Sequence, residues 1–396
     1  MNVAILSHEY PPYIFGGQGT FAHALAHGLI REGITVQVIT GIPKSPNAIG
    51  AWQSEQTFED GIKIARLPYL NVPLRFTNFQ LLNMKKISQI AQDGKIDIIH
   101  GQSCCTYPAI KHLKKIAPVL VTFHTSPLME KTAAVRAVFR GGSLRDFYTF
   151  LAGYPVWHQI YLKELVHSNR AVSVSRALQS ELIKEMGVLY ENKIQSIHNG
   201  VNLDFLDQEY DQVNPEICES DNVILFAGRL FWRKGALSIV KMAHLLQKQK
   251  SNLKIIVHGT GPLYDAMQKS IQTLGLTNIA LRGFTTRKQL IQSLKLCKYV
   301  AIPSLYEACP MILLESMCLG KIPLMLNLPF SLELTENGKY GLFADDIEGL
   351  VDKIVASGRH EANQSSKIKA FARRTYDLRV IIHEYIKTYE ELTAYS

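Results

Sequence analysis

Along the first half of the chain, short runs of β-branched and aliphatic residues alternate with longer stretches in which apolar positions recur every three or four residues. That alternation builds a parallel sheet covered on both faces by helices. The runs predict strands at 3–7, 34–40, 62–67, 96–100, 118–124, 170–174 and 193–198. A helix is predicted from Gln18 to Glu32, with Phe21, Leu25, Leu29 and Ile30 on one stripe and Gly33 as its C-terminal stop. From Leu206 to Asn222 the pattern lapses into a polar, acidic tract that reads as an interdomain linker. The same grammar then restarts, with strands predicted at 223–228, 253–258, 279–283, 299–303, 322–326 and 340–343 and a long terminal helix near 365–392. The expected class is α/β, with two doubly wound domains over residues 1–205 and 206–377 and a helix at about 378–396 able to pack back on the first. Ligands of such sheets bind beyond the carboxyl ends of the strands, so the expected site is a cleft between two facing domains.

A length of 396 residues suits two domains, and 47% apolar against 19% charged residues excludes long disorder. The first strand begins at Val3 with no basic region and apolar core ahead of it, so no signal peptide is expected. No apolar run reaches the roughly 18 residues of a spanning helix, since Met311 to Leu328 is broken by Glu315, Gly320 and Lys321. The expectation is a cytoplasmic protein that can rest on the inner membrane face without crossing it. Six cysteines without C-x-x-C spacing support neither a zinc ribbon nor a disulfide framework. The net charge of +9 suits an anionic ligand or surface, and the first 205 residues hold most of the excess, with 20 basic against 14 acidic residues.

Three segments could carry chemistry. The loop Phe15-Gly16-Gly17-Gln18-Gly19 follows the first strand and opens a helix, where glycines let the backbone approach an anion and the helix terminus supplies N–H groups. Gly17 to Ala22 fits G-x-G-x-x-A, but Glu9 to Tyr13 intervenes after the strand, and Thr40-Gly41 stands where a ribose-binding carboxylate belongs. A nicotinamide cofactor is therefore not expected. In Gly228-Arg229-Leu230-Phe231-Trp232-Arg233-Lys234-Gly235, Arg229 and Lys234 can converge on a diphosphate, with Arg233 as a substitute for Lys234. In Glu307-Ala308-Cys309-Pro310-Met311-Ile312-Leu313-Leu314-Glu315 a turn runs into a helix, with Pro310 suited to its first position and Gly320 to its stop. Glu315 there sits among apolar neighbours, a costly place for a carboxylate without a partner, and a vicinal diol would satisfy it. Each segment also has a structural reading: a packing turn, solvated loop charges, a glutamate bonded to backbone. Asp345-Asp346-Ile347-Glu348 reads as capping charge ahead of a helix, so no metal site is expected.

Gly16-Gly17, His124 at a strand end, the G-R…K-G element at 228–235, Gly259-Thr260-Gly261-Pro262 and the paired Glu307 and Glu315 occur in that order. Together they resemble the retaining, nucleotide-sugar-dependent glycosyltransferases of the GT-B fold, family 4. The resemblance covers nearly the whole chain and is weakest over 127–165 and past Gly358. It implies that Gly16 and Gly17 lie by the donor phosphates and acceptor, that Arg229 and Lys234 neutralise the departing diphosphate, and that Glu315 bonds the ribose. It implies further that Glu307, with backbone from Ala308, Cys309, Pro310 and Met311, meets the sugar, that His124 sits near that sugar, and that backbone at Gly283 and Phe284 pairs with the base. Many relatives have glycine and phenylalanine after the first glutamate where this chain has Ala308-Cys309-Pro310, a departure that bears on sugar identity. The implied reaction moves a sugar from a nucleoside-diphosphate donor to an acceptor hydroxyl on a glycan, lipid or small molecule, with no metal, no other cofactor and no nucleic-acid partner. A sugar-nucleotide epimerase and a non-catalytic nucleotide-sugar binder are the alternatives. The tract 127–165, with Lys131, Arg136, Arg140 and Arg145 ahead of Tyr154 and Trp157, is expected to meet the acceptor and an anionic membrane surface.

Overall fold

Val3, Ala4, Ile5 and Leu6 are wholly buried, as a strand covered on both faces requires. The computed structural model describes residues 1–14, 16–44, 53–70, 75–138, 144–214, 220–357 and 362–394. It divides into two units, one of Met1–Met129, Leu151–Gly200 and Leu378–Ser396, the other of Glu130–Phe150 and Val201–Asp377. The main division between these units falls between Gly200 and Val201. The Val201 amide donates to the Tyr376 carbonyl at 2.7 Å and so belongs with the second unit.

In chain order the first sheet region comprises β1 (Asn2–Leu6), α1 (Gly17–Arg31), β2 (Thr35–Lys44), β3 (Glu55–Glu59), β4 (Ile62–Leu70), α2 (Arg75–Asp93), β5 (Ile98–Gln102) and α3 (Ile110–Leu113). It continues through β6 (Val119–Phe123), α4 (Pro127–Val138), α5 (Leu144–His167), β7 (Arg170–Ser173), α6 (Arg176–Met186) and β8 (Ile194–Ser196). The strand order is β3-β4-β2-β1-β5-β6-β7-β8, parallel except for β3, which runs antiparallel to β4. Sequence periodicity misses β3 because its segment, EQTFE, is mostly polar and lies exposed on an edge; Phe58 is 75% exposed. On α1 the stripe of Phe21, Leu25 and Leu29 is buried, each such side chain contributing about 1.5–3 kcal/mol.

The second unit continues with α7 (Leu203–Asp211), β9 (Ser220–Ala227), α8 (Ala236–Lys248), β10 (Lys254–His258), α9 (Tyr264–Thr273), β11 (Ile279–Leu281) and α10 (Arg287–Leu296). It closes with β12 (Cys297–Ile302), α11 (Met311–Cys318), β13 (Ile322–Leu326), α12 (Pro329–Leu334), β14 (Leu342–Ala344), α13 (Ile347–Ser357) and α14 (Ala362–Tyr376). Its parallel sheet has the order β11-β10-β9-β12-β13-β14.

Three expectations need correction. The supposed linker opens inside α7, which runs to Asp211, and ends inside β9, which begins at Ser220: the Asn202 side chain caps α7 by accepting from the Phe205 amide at 3.2 Å, and Leu203 and Leu206 are buried. Residues 215–219 of that tract lie outside the described residues. The terminal helix is two, because Val201 takes the Tyr376 carbonyl that a continuing helix would use; α15 (Leu378–Ala394) begins after Asp377. Within the first unit α15 shares a core with α1, where Leu378, Ile381, Ile382 and Tyr385 join Phe21 and Leu25. Pro310 is the cap of α11, not its first helical residue: its ψ of 122° is extended, and Met311 begins the helix.

Candidate active site

The strand order of the second unit reverses at β9, which has β10 on one side and β12 on the other. Loops leaving two such strands diverge and open a crevice at their carboxyl ends. The loop after β9 is laced to its neighbours: the Gly228 amide donates to His258 O at 3.0 Å, Leu230 to Thr260 O at 2.9 Å, and Gly259 to Gly283 O at 2.8 Å. Gly235 is indispensable in this arrangement. Its φ is +72°, and a Cβ there would lie 2.2 Å from the carbonyl oxygen of Pro303. The close approach seats the β9 loop on the β12 loop, where the Leu305 amide donates to Arg233 O at 2.8 Å.

Two carboxylates are placed by this packing. Glu307 is buried, accepts from Ser304 Oγ at 3.0 Å and forms an ion pair with Lys234. Burial alone would raise its carboxyl, but the charges of Lys234 and Arg233 outweigh that and hold it below the usual carboxylate range. Arg233 itself pairs with Glu130. Glu315, on α11, is buried as its apolar surroundings predict, and its two oxygens accept from Nη1 of Arg287 at 2.8 and 2.9 Å. Arg287 also donates from Nε to Glu209 at 2.9 Å. Burial works against its charge, yet the two glutamates raise its pKa. Arg229 is exposed at the end of β9, with its guanidinium 5.7 Å from the Phe231 ring centre. Gly283 has φ +70°, and Phe284 beside it is 80% exposed. Ala308, Cys309 and Pro310 are buried and lead into Met311 at the start of α11, where the first amides of a helix have no intrahelical acceptor.

In the first unit, His124 follows β6. Its Nε2 lies 2.7 Å from Gln102 Oε1. Its ring meets Phe21 edge-on at 5.2 Å, which brings it to the N-terminal half of α1. Gly16 caps α1 with extended backbone, and a Cβ on Gly19 would come within 2.9 Å of the Glu9 side chain, so the buried Glu9 shares the positive end of that helix. Burial pushes His124 down to about 4, and His100, whose ring nitrogens lie 2.7 Å from Tyr389 and Thr122 hydroxyls, down to about 3. Both are neutral at pH 7. Their folded-state values lie below the unfolded value, so the stability they contribute is present above about pH 6.5 and is lost as the pH falls toward 4 and 3. Urea midpoints should therefore drop over that range, and His124→Gln should drop less steeply; equal slopes would contradict the assignment.

Structure therefore brings together Lys234 with Glu307 in one unit and, in the other, His124 with Phe21 on the helix that the glycine loop opens, while Phe15 lies outside the described residues. In the tract 127–165, Arg136 is exposed and Tyr154 and Trp157 are half-buried; Arg140 and the side chain of Arg145 are outside the described residues. Asp346 caps α13, accepting from the Gly349 amide at 2.8 Å, and among the described residues no group of carboxylates, histidines and cysteines has the arrangement of a metal site. Cys104 and Cys105 are buried, and burial raises both thiols, which suits packing.

Two family profiles cover almost the whole sequence: Glycosyltransferase Family 4 matches residues 15–205, and Glycosyl transferases group 1 matches residues 207–375. The chain belongs to glycosyltransferase family 4. An uncharacterized glycosyltransferase of Methanocaldococcus jannaschii is 25% identical over 374 residues, spanning 90% of this chain and 89% of that one. Sucrose-phosphate synthase of Thermosynechococcus elongatus superposes with a TM-score of 0.79 at 16% identity, over 100% of both chains. An Anabaena protein solved with UDP-glucose gives 0.68 at 17% identity, over 99% of this chain and 100% of that one. The fold is GT-B, built from two Rossmann-like units. Sequence reasoning about this glycosyltransferase missed Arg287 and Ser304, whose partners Glu315 and Glu307 it had singled out. Among the described residues no helix is long and apolar enough to cross a membrane.

Proposed function

We propose that this glycosyltransferase moves a sugar from a nucleoside-diphosphate donor to an acceptor hydroxyl with retained anomeric configuration and without a divalent metal. The observation that carries this reading is the Lys234–Glu307 pair at the carboxyl ends of adjacent strands, with Arg229 on the same loop. An ammonium has three donors. With one on Glu307, the others remain for phosphate oxygens, so Lys234 and Arg229 stabilise the charge that grows on the leaving diphosphate as the glycosyl bond breaks. Glu307 and the amides of Ala308, Cys309 and Met311 hold the sugar, Glu315 the ribose, and backbone at Gly283 and Phe284 the base. Gly16, Gly17 and His124 serve the first unit's side of the reaction, with 127–165 toward the acceptor. The Anabaena neighbour, bound to UDP-glucose, supports a nucleotide-sugar donor of this kind.

The test is incubation with a panel of nucleotide sugars, with and without candidate acceptors, in excess EDTA. Free nucleoside diphosphate should appear only with donor and acceptor together, and chelation should not reduce it, because the cations supply what a metal otherwise would. An epimerised sugar, saturable binding without turnover, or activity lost to EDTA and restored by magnesium would overturn the corresponding part.

A further inference from the structure

The outward side of α5 carries a pattern for which the donor site has no use. From Leu151 onward its exposed positions recur at helical spacing: Leu151, Ala152, Pro155 and Val156 form an apolar stripe, followed by Lys163 and Val166. Leu151 and Val156 are each 45% exposed. From Leu151 to Val166, with the exposed Gln159 between the apolar stripe and Lys163, this face runs about 22 Å at 1.5 Å per residue, long and narrow where a binding pocket would be concave.

At its C-terminal end the stripe meets a cluster of cations. Lys193 donates from Nζ to the carbonyl of Val166 at 3.0 Å. The buried carboxylate of Glu164 accepts from the amides of Thr106 at 2.8 Å and Tyr107 at 3.1 Å, which ties the segment entering α3 to α5 and brings the exposed Lys111 and Lys114 to the same end as Lys163. His167 registers the cluster: burial and then the charges of Lys111, Lys163, Lys114 and Lys193 hold its pKa down. Lys193 is likewise pushed down to about 8 by burial and by Lys114. Among the described residues none of the four lysines forms an ion pair with a carboxylate. The folded protein thus holds together four mutually repelling cations beside exposed aliphatic side chains.

We propose that this face of α5, with Lys111, Lys114, Lys163 and Lys193, docks on an anionic phospholipid bilayer. A bilayer relieves both costs at once: headgroup phosphates neutralise the lysines, and the aliphatic stripe enters the boundary between headgroups and acyl chains. A nucleic acid would satisfy the lysines and leave the stripe in water. The docking is independent of the donor site, and its cations are these four lysines in place of Arg136 and its neighbours.

The experiment is co-sedimentation of the full-length protein with vesicles of phosphatidylcholine alone and with added phosphatidylglycerol. Binding should require the anionic lipid and fall with salt. Lys111/Lys114/Lys163→Gln should lower the partition coefficient by about a hundredfold, at about fivefold per lysine near the surface, and Leu151/Val156→Ser should lower it several-fold. All five positions are exposed, so the variants should retain wild-type unfolding midpoints and nucleotide affinity. Equal binding to both vesicle types, equal binding by wild type and the lysine variant, or no binding at all would overturn the proposal. So would a salt-stable dimer, seen by light scattering and lost in Leu151/Val156→Ser, which would assign the face to a second copy of this chain.

Discussion

Replacing Lys234 by alanine should lower turnover about a hundredfold or more, the usual consequence of removing one preorganised group that stabilises developing charge. The same substitution has a structural cost, because Glu307 is buried and its depressed pKa depends on Lys234 and Arg233. In the wild type a carboxyl held below its unfolded value contributes stability above the ordinary carboxylate range, which is lost as the pH falls through the depressed folded value. Without Lys234, burial pulls the carboxyl the other way, so the variant should lose stability most near neutrality and recover part of the difference in acid. Lys234→Ala/Glu307→Gln separates the two effects, since it removes the buried charge along with its partner. Its unfolding midpoint should return toward wild type while turnover stays low. Arg229→Ala should reduce turnover comparably with little change in stability, since Arg229 is exposed. Near-normal turnover in both single variants, with folding intact, would eliminate the diphosphate clamp.

The parts legible in the sequence are those set by local pattern. The run from Val119 to Phe123 is wholly buried and reads directly as a strand, and Glu315 declares itself as a carboxylate embedded in apolar helix. What the sequence conceals depends on partners distant along the chain. β3 exists because Arg66, at the centre of β4, bonds Glu59 and Thr57 at 3.0 and 2.7 Å and fixes a polar edge. The break at Asp377 depends on the amide of Val201. Arg287 looks like a charge in the first turn of an amphipathic helix, and only the tertiary fold of the second unit brings it to Glu315 on α11. Lys234 and Glu307 are separately conspicuous, but their pairing follows from the contact of two loops that Gly235 permits.

That hidden arginine sharpens the expected division of labour between the two carboxylates. A carboxylate has about four lone-pair positions. Arg287 occupies one on each oxygen of Glu315, so one on each remains for the two hydroxyls of a ribose. Glu315→Ala should therefore weaken binding of the nucleoside diphosphate by tenfold or more, as expected for losing hydrogen bonds to a charged acceptor, and should abolish any preference for the ribonucleotide over its 2′-deoxy form. Glu307→Ala should reduce turnover with a smaller effect on affinity for the sugarless nucleotide. Arg287→Gln should lower both the affinity and the ribose preference, because the carboxylate loses the group that orients it, and Arg287→Lys should restore part of the preference by returning a donor and a charge. A merely structural role for Arg287 would lower stability and leave the ratio of the two nucleotide affinities unchanged. Calorimetry with the two nucleotides measures each quantity directly; if Glu307→Ala lost more affinity for the sugarless nucleoside diphosphate than Glu315→Ala, the assignment of ribose to Glu315 and sugar to Glu307 would be reversed.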